Sequence, residues 1–252
     1  MAAGVERDAS QATGNNLSSP AIVLLPGLDG SGELFSELVS ELPSALTVVI
    51  GKYPNKRFLS YKELIPVVKE IVPNDDPFII VAESFSTPLA TMFAATHPPN
   101  LVGLVMCAGF VANPAGNWTL LAKALTTRTL PKVAPPRWFL KHFVIGGSPP
   151  PSLEANLCKA LSAADSGVMA ARLRAVLACD AREDMARSEI PLMYIQAECD
   201  RLVPAECFTV IQRIRPNTTL VSIPGAPHLV LQCEPRKCAE TIAHFIQELQ
   251  LI

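Results

Sequence analysis

From residue 21 onward, short apolar runs alternate with segments of helical length. Residues 21–25, 46–50, 78–82, 101–107, 192–196 and 220–223 are brief and apolar at successive positions rather than at every second one. Strands read this way when helices cover both faces of their sheet. Between them lie helical candidates at 33–41, 61–72, 87–96, 205–214 and 236–249. Strand and helix in strict alternation predict right-handed crossovers and a doubly wound, mostly parallel α/β sheet of about six strands.

One stretch breaks this rhythm. Residues 112–185 hold no run that reads as a strand. They hold helical pieces at 119–125, 137–143, 153–164 and 168–178, separated by joints at Pro131, Pro135, Pro136 and Pro149 to Pro151. Ligands of open α/β sheets bind outside the carboxyl ends of the strands. A helical insertion here is expected to roof that crevice as a cap. Residues 1–20 are polar, carry Glu6, Arg7 and Asp8, and contain no apolar block. They read as a flexible tail rather than a secretory signal, with one domain over residues 21–252.

Composition narrows the classes. The chain of 252 residues is 49% hydrophobic and 17% charged, which describes a packed globular protein and excludes a disordered one. A net charge of −2 gives no overall attraction to nucleic acid. No apolar run approaches the roughly 20 residues that a membrane span needs. The seven cysteines (Cys107, Cys158, Cys179, Cys199, Cys207, Cys233 and Cys238) are odd in number and lack metal-binding spacing. Most of them are expected to be small buried hydrophobes in a reducing, cytoplasmic compartment, with no metal.

The candidate chemistry starts at Ser84. The run 78–82 leads into Ala82-Glu83-Ser84-Phe85-Ser86 and then a helix. A serine at the tip of such a strand–turn–helix sits in a strained turn with its hydroxyl exposed. The residues two before and two after must be small, because the two backbones approach closely. Ala82 and Ser86 meet that demand. The bland alternative is that Ser84 merely caps the helix, whereas a capping Ser86 or Thr87 would leave Ser84 free for chemistry.

A serine hydroxyl needs a base. Of four histidines, His97 ends a helix, His142 lies in the insertion and His244 in the last helix. His228 alone follows the last strand, in a Gly- and Pro-containing loop, where the base belongs. Asp200 follows the strand at 192–196 and supplies the acid that orients the imidazole, in preference to Glu198 and Asp180. The order Ser, Asp, His suits a sheet of this kind. A Gly-rich loop, Pro26-Gly27-Leu28-Asp29-Gly30, follows the first strand. It matches neither dinucleotide nor P-loop patterns.

The phrases LLPGLDGSG, AESFS, AECDRLVP and GAPH together resemble the α/β-hydrolase superfamily over about residues 20–250, and in particular its small bacterial esterase-like members with a helical cap. The resemblance implies a Ser84–His228–Asp200 triad without cofactor and an oxyanion hole from the backbone amides of Leu28 and Phe85. It departs from the usual pattern at Pro26, where a His often precedes the glycine, and at Ala82 and Ser86, which replace glycines.

The expected activity is cleavage of a carboxylic ester or thioester through an acyl-enzyme. The same triad could serve an alcohol acceptor, as in an acyltransferase, or the fold could be a catalytically silent binding protein. Trp138, Phe139, Phe143 and Leu229 are the expected acyl pocket. Residues 112–175 carry eight basic side chains (Lys123, Arg128, Lys132, Arg137, Lys141, Lys159, Arg172 and Arg174) against Glu154 and Asp165. Such a cap would attract an anionic acyl carrier or lipid surface. The alternative is a solvated basic face.

Overall fold

The computed structural model describes residues 19–114, 137–146, 149 and 152–249. Most of the expected flexible tail and the expected helix at 119–125 lie outside the described residues, as do Lys123, Arg128 and Lys132.

Six strands form one wholly parallel sheet: β1 (Ala21–Leu25), β2 (Val48–Ile50), β3 (Phe78–Glu83), β4 (Leu101–Cys107), β5 (Leu192–Ala197) and β6 (Thr219–Ile223). Their order across the sheet is β2-β1-β3-β4-β5-β6. The chain winds outward first one way and then the other, so the switch lies beside β1 and β3. Register follows from alternation. Ile22, Leu24, Ile79 and Val81 pack on one face, and Val23, Leu25, Ile80 and Ala82 on the other. One face is covered by α1 (Ser36–Glu41) and, at the chain's end, by Pro235–Leu249. The other is covered by α2 (Tyr61–Ile71), α3 (Ser86–Ala94) and Glu206–Ile214. Ser60 and Glu63 form a reciprocal capping box at the start of α2, which fixes that helix although Pro66 lies inside it.

All six strands form at the expected apolar runs, and the four inner ones are buried as expected, but β2 and β6 are not. Both were expected to be covered on both faces. β2 is half-buried to exposed, and β6 is exposed at Thr219, Leu220 and Ser222. They are the sheet's two edges, where no neighbouring strand completes the helical cover.

Between β4 and β5 the described chain is helical. A turn α4 (Arg137–Phe139) runs into a π-helical stretch at Leu140–Val144, followed by α5 (Leu153–Ala163), α6 (Ser166–Leu177) and α7 (Arg182–Arg187). A single antiparallel bridge joins Ala112 to Asp180 and closes the base of this excursion. After β5 come α8 (Glu206–Ile214), β6, a short α9 (Val230–Cys233) and α10 (Pro235–Leu249). The sequence pattern did not mark α7 or α9, because each is too short to show a helical period.

Candidate active site

β3 ends at Glu83 and α3 begins at Ser86, leaving two residues to reverse the chain. Ser84 absorbs the turn with a φ of 45°, a left-handed conformation unfavourable for a residue with a Cβ. The surroundings hold it there. Ser84 N–H donates to the Cys107 carbonyl at 2.9 Å. Thr87 Oγ1 donates to the Ser84 carbonyl at 2.8 Å and accepts from Phe110 N–H at 3.0 Å. Gly109 must lack a side chain, since a Cβ there would lie 2.4 Å from Thr87 Cγ2.

Phe85 holds the N-cap position of α3 and no side chain makes a capping hydrogen bond, so neither Ser84 nor Ser86 nor Thr87 acts as a cap. Thr87 braces the turn. Ser86 Oγ donates to the Pro26 carbonyl and accepts from Tyr53 OH at 2.5 Å. Ser86 thus ties the turn to the loop after β1, a role that smallness alone did not reveal.

Ser84, His228 and Asp200 meet at the carboxyl edge of the sheet. His228 Nε2 is 2.9 Å from Ser84 Oγ, and His228 Nδ1 is 2.8 Å from Asp200 Oδ2. The second Asp200 oxygen accepts from the amides of Leu202 (2.8 Å) and Val203 (2.9 Å), so the carboxylate cannot rotate freely. With Asp200 on Nδ1, the imidazole proton sits there and Nε2 faces the serine as acceptor. Both side chains of the pair are nearly buried, at 5% and 6% exposure. Burial pushes the imidazole's pKa down, but the Asp200 carboxylate and, more weakly, Glu83 outweigh it, and the net direction is upward.

The competitors go elsewhere. Glu198 accepts from Gly225 N–H at 2.7 Å and so shapes the loop that carries His228. Asp180 pairs with Arg182. His97 is exposed, His244 pairs with Glu248, and exposed His142 packs with Arg201.

Phe85 follows the serine in sequence, and Leu28 lies in the loop after β1, to which Ser86 ties the turn. Leu28 is half-buried in the loop after β1, whose turn is closed by Gly30 N–H donating to the Gly27 carbonyl at 3.1 Å. Phe85 is the N-cap residue of α3, and its buried ring stacks on Tyr61 at 4.9 Å and meets Tyr53 edge-on at 6.1 Å.

Glu83 was not foreseen as part of the site. It is 2% exposed, beside the serine and beneath Gly27. Gln232 donates to one oxygen at 3.1 Å, while its other oxygen and the side-chain oxygen of Gln232 have no partner. Burial, and then the nearby Asp29 charge, push its pKa up to about 7. A charged residue at the end of an otherwise apolar strand is the signal that could have marked it.

Of the expected pocket residues, Phe139 and Phe143 stack at 4.8 Å and pack on the core, and Leu229 is buried. The Leu229 amide donates to the Val144 carbonyl at 3.1 Å, which brings this aromatic stretch against the histidine loop. Trp138 stays 66% exposed, edge-on to Phe139. The expected basic face is partly engaged. Arg137 and Lys141 both bind Glu154, Lys159 pairs with Glu33, and Arg172 is buried.

Among the described residues, no cluster of His, Cys, Asp or Glu could hold a metal ion, and no helix is long and apolar enough to cross a membrane.

The fold is widely shared among solved structures. A lipase-esterase related protein from Clostridium acetobutylicum superposes with a TM-score of 0.77 at 18% identity, covering 92% of this chain and 96% of its own. A hydrolase from Oleispira antarctica gives 0.76 at 17% identity, covering 90% and 91%. A bromoperoxidase from Bacillus anthracis gives 0.75 at 16% identity, covering 91% and 92%. No curated protein matches the sequence significantly. At these identities the structures speak to fold alone. The model of the alpha/beta hydrolase family, however, matches residues 22–241, and the chain belongs to that family.

Proposed function

We propose that the protein is a serine hydrolase that cleaves a carboxylic ester or thioester through an acyl-enzyme on Ser84. The observation that carries this is the continuous Asp200–His228–Ser84 relay, with both links under 3 Å, ending on a serine held at positive φ. His228 Nε2 takes the Ser84 proton as Oγ attacks the carbonyl carbon. Asp200 stabilises the imidazolium that forms and keeps the ring oriented. The amides of Leu28 and Phe85 hold the oxyanion, aided by the positive end of α3. The imidazolium then protonates the leaving group. Water, deprotonated by the same histidine, attacks the acyl-enzyme and releases the acid.

The acyl chain lies along Phe139, Phe143 and Leu229, with Trp138 at the rim, under a helical cap spanning about residues 112–185. A small neutral ester fits this site better than an anionic acyl carrier, because Arg137, Lys141 and Lys159 are already paired to carboxylates.

The test is a panel of p-nitrophenyl esters and acyl thioesters of rising chain length, with Ser84→Ala as control and fluorophosphonate labelling alongside. Labelling at Ser84 and turnover that Ser84→Ala abolishes are expected. Labelling without release of acid to water, but with ester formation in added alcohol, would identify an acyltransferase. Absence of any Ser84 adduct in folded protein would leave a binding protein and overturn the proposal.

A further inference from the structure

Arg172 stands out among the basic residues of the helical excursion. Helical spacing places it on the buried face of α6, with Val168, Leu173 and Val176. It is 2% exposed. Its partners are backbone carbonyls rather than a carboxylate. Nη1 donates to the carbonyls of Leu28 and Asp29, both at 2.8 Å, and Nη2 donates to that of Pro54 at 2.9 Å. The guanidinium carbon also lies 5.8 Å from the Tyr53 ring centroid and 6.0 Å from that of Phe85.

The loop is built to receive it. Gly30 has a φ of +68°, and a Cβ there would fall 2.6 Å from Arg172 Nη1. The start of α6 is fixed to the same region: Asp165 caps the helix through Gly167 N–H at 2.7 Å, and its own amide donates to the Asn55 carbonyl at 2.8 Å. The Tyr53 amide in turn donates to the Gly30 carbonyl at 2.8 Å. The guanidinium therefore sits at the meeting point of three segments: the loop carrying Leu28, the loop after β2, and α6.

We propose that Arg172 is the positioning residue of the oxyanion loop. By gripping the Leu28 and Asp29 carbonyls it fixes the backbone immediately after the Leu28 amide, so that this N–H is held on the oxygen of the carbonyl that Ser84 attacks. Its planar fork suits this role, because divergent N–H groups reach carbonyls on two loops at once, which a lysine ammonium on a flexible stem does not reproduce. The inference rests on the serine-hydrolase reading. It adds that the helical excursion reaches the hole itself and not only the substrate.

A grip of this kind acts where charge develops, not where the substrate docks. Losing one oxyanion donor costs about 10²–10³ in kcat, and small misplacements cost about 10². Arg172→Met is therefore expected to lower kcat per labelled Ser84 by about 100-fold with KM changed less than about 3-fold. Affinity for a trifluoromethyl ketone, which forms a tetrahedral oxyanion adduct on the serine, should fall in parallel, and Arg172→Lys should show a smaller loss of the same kind.

Fluorophosphonate titration counts competent serines, and thermal melting reports folding. A merely structural role would lower the count or the melting temperature but leave kcat per site and ketone affinity intact. If Arg172→Met does not fold, Arg172→Lys decides. Wild-type ketone affinity in either folded variant overturns the proposal. Failure of the wild-type protein itself to form the adduct would instead sink the serine-hydrolase reading, and the positioning role with it.

Discussion

Glu83→Gln tests the electrostatics beneath the site. In the unfolded chain a glutamate releases its proton near its ordinary value of 4.5, whereas in the fold burial and Asp29 push Glu83 up to about 7. Below 4.5 both states hold the proton and Glu83 carries no penalty. Between 4.5 and 7 the unfolded chain has released it while the folded chain retains it. The unfolded state then binds fewer protons, so stability falls as pH rises. At about 1.4 kcal/mol per pH unit, the loss across this window is about 3 kcal/mol. The substituted amide has no proton to release, and it keeps the contact with Gln232, since its oxygen can accept where the carboxylate did.

The variant should therefore match wild type near pH 4 and exceed it by about 3 kcal/mol at pH 8, a melting difference of about 6–12 °C for a domain of this size. Urea or thermal melts of both proteins at half-unit steps from pH 4 to 8 measure it. Taking the difference between them cancels the other carboxylates. A difference that does not vary with pH would refute the reasoning, because it would mean that Glu83 titrates alike in both states.

Other consequences follow from the same geometry. kcat/KM should rise with pH along a limb set by His228, with its inflection above the ordinary histidine value of about 6.5, since Asp200 and Glu83 hold the imidazole's pKa up. In Glu83→Gln that limb should move to lower pH; a pH–rate profile of both proteins checks the direction. Asp200→Asn should leave the fold intact but lower kcat by about 10³–10⁴-fold, through the wrong imidazole tautomer, as single-turnover kinetics would show. Thr87→Val removes the acceptor for the buried Phe110 N–H. It should cost about 1–3 kcal/mol in a urea melt.

The meeting of Ser84, Asp200 and His228 was legible because each follows a strand that a short apolar run announces. Phe78–Glu83, Leu192–Ala197 and Thr219–Ile223 deliver Ser84, Asp200 and His228 to one edge of the sheet, and parallel strands leave no other edge for them. Local pattern thus carried global position. The supports of the site were less legible, because they join segments that no local pattern connects. Tyr53 meets Ser86 across 33 residues, and Arg172 meets Leu28 across 144. Ser86 looked like a spacer or a cap, since smallness and hydrogen bonding leave the same letter in a sequence.

Two of the missed residues nevertheless break a pattern. Glu83 ends a strand whose other five positions are apolar, and Arg172 falls four residues after Val168 and four before Val176, on the face a helix buries. A charge on a buried face must find partners, because desolvating it alone costs several kcal/mol. The chain met that demand in two ways. Arg172 stays charged and found three carbonyls around the Leu28 loop, while Glu83 found one amide donor and kept its proton toward neutral pH. Glu83 adjoins Ser84 in the chain, and Arg172 lies near the ring of Phe85, the residue on the other side of Ser84. Departures from hydrophobic pattern therefore mark the neighbourhood of the chemistry even where no motif names the residue.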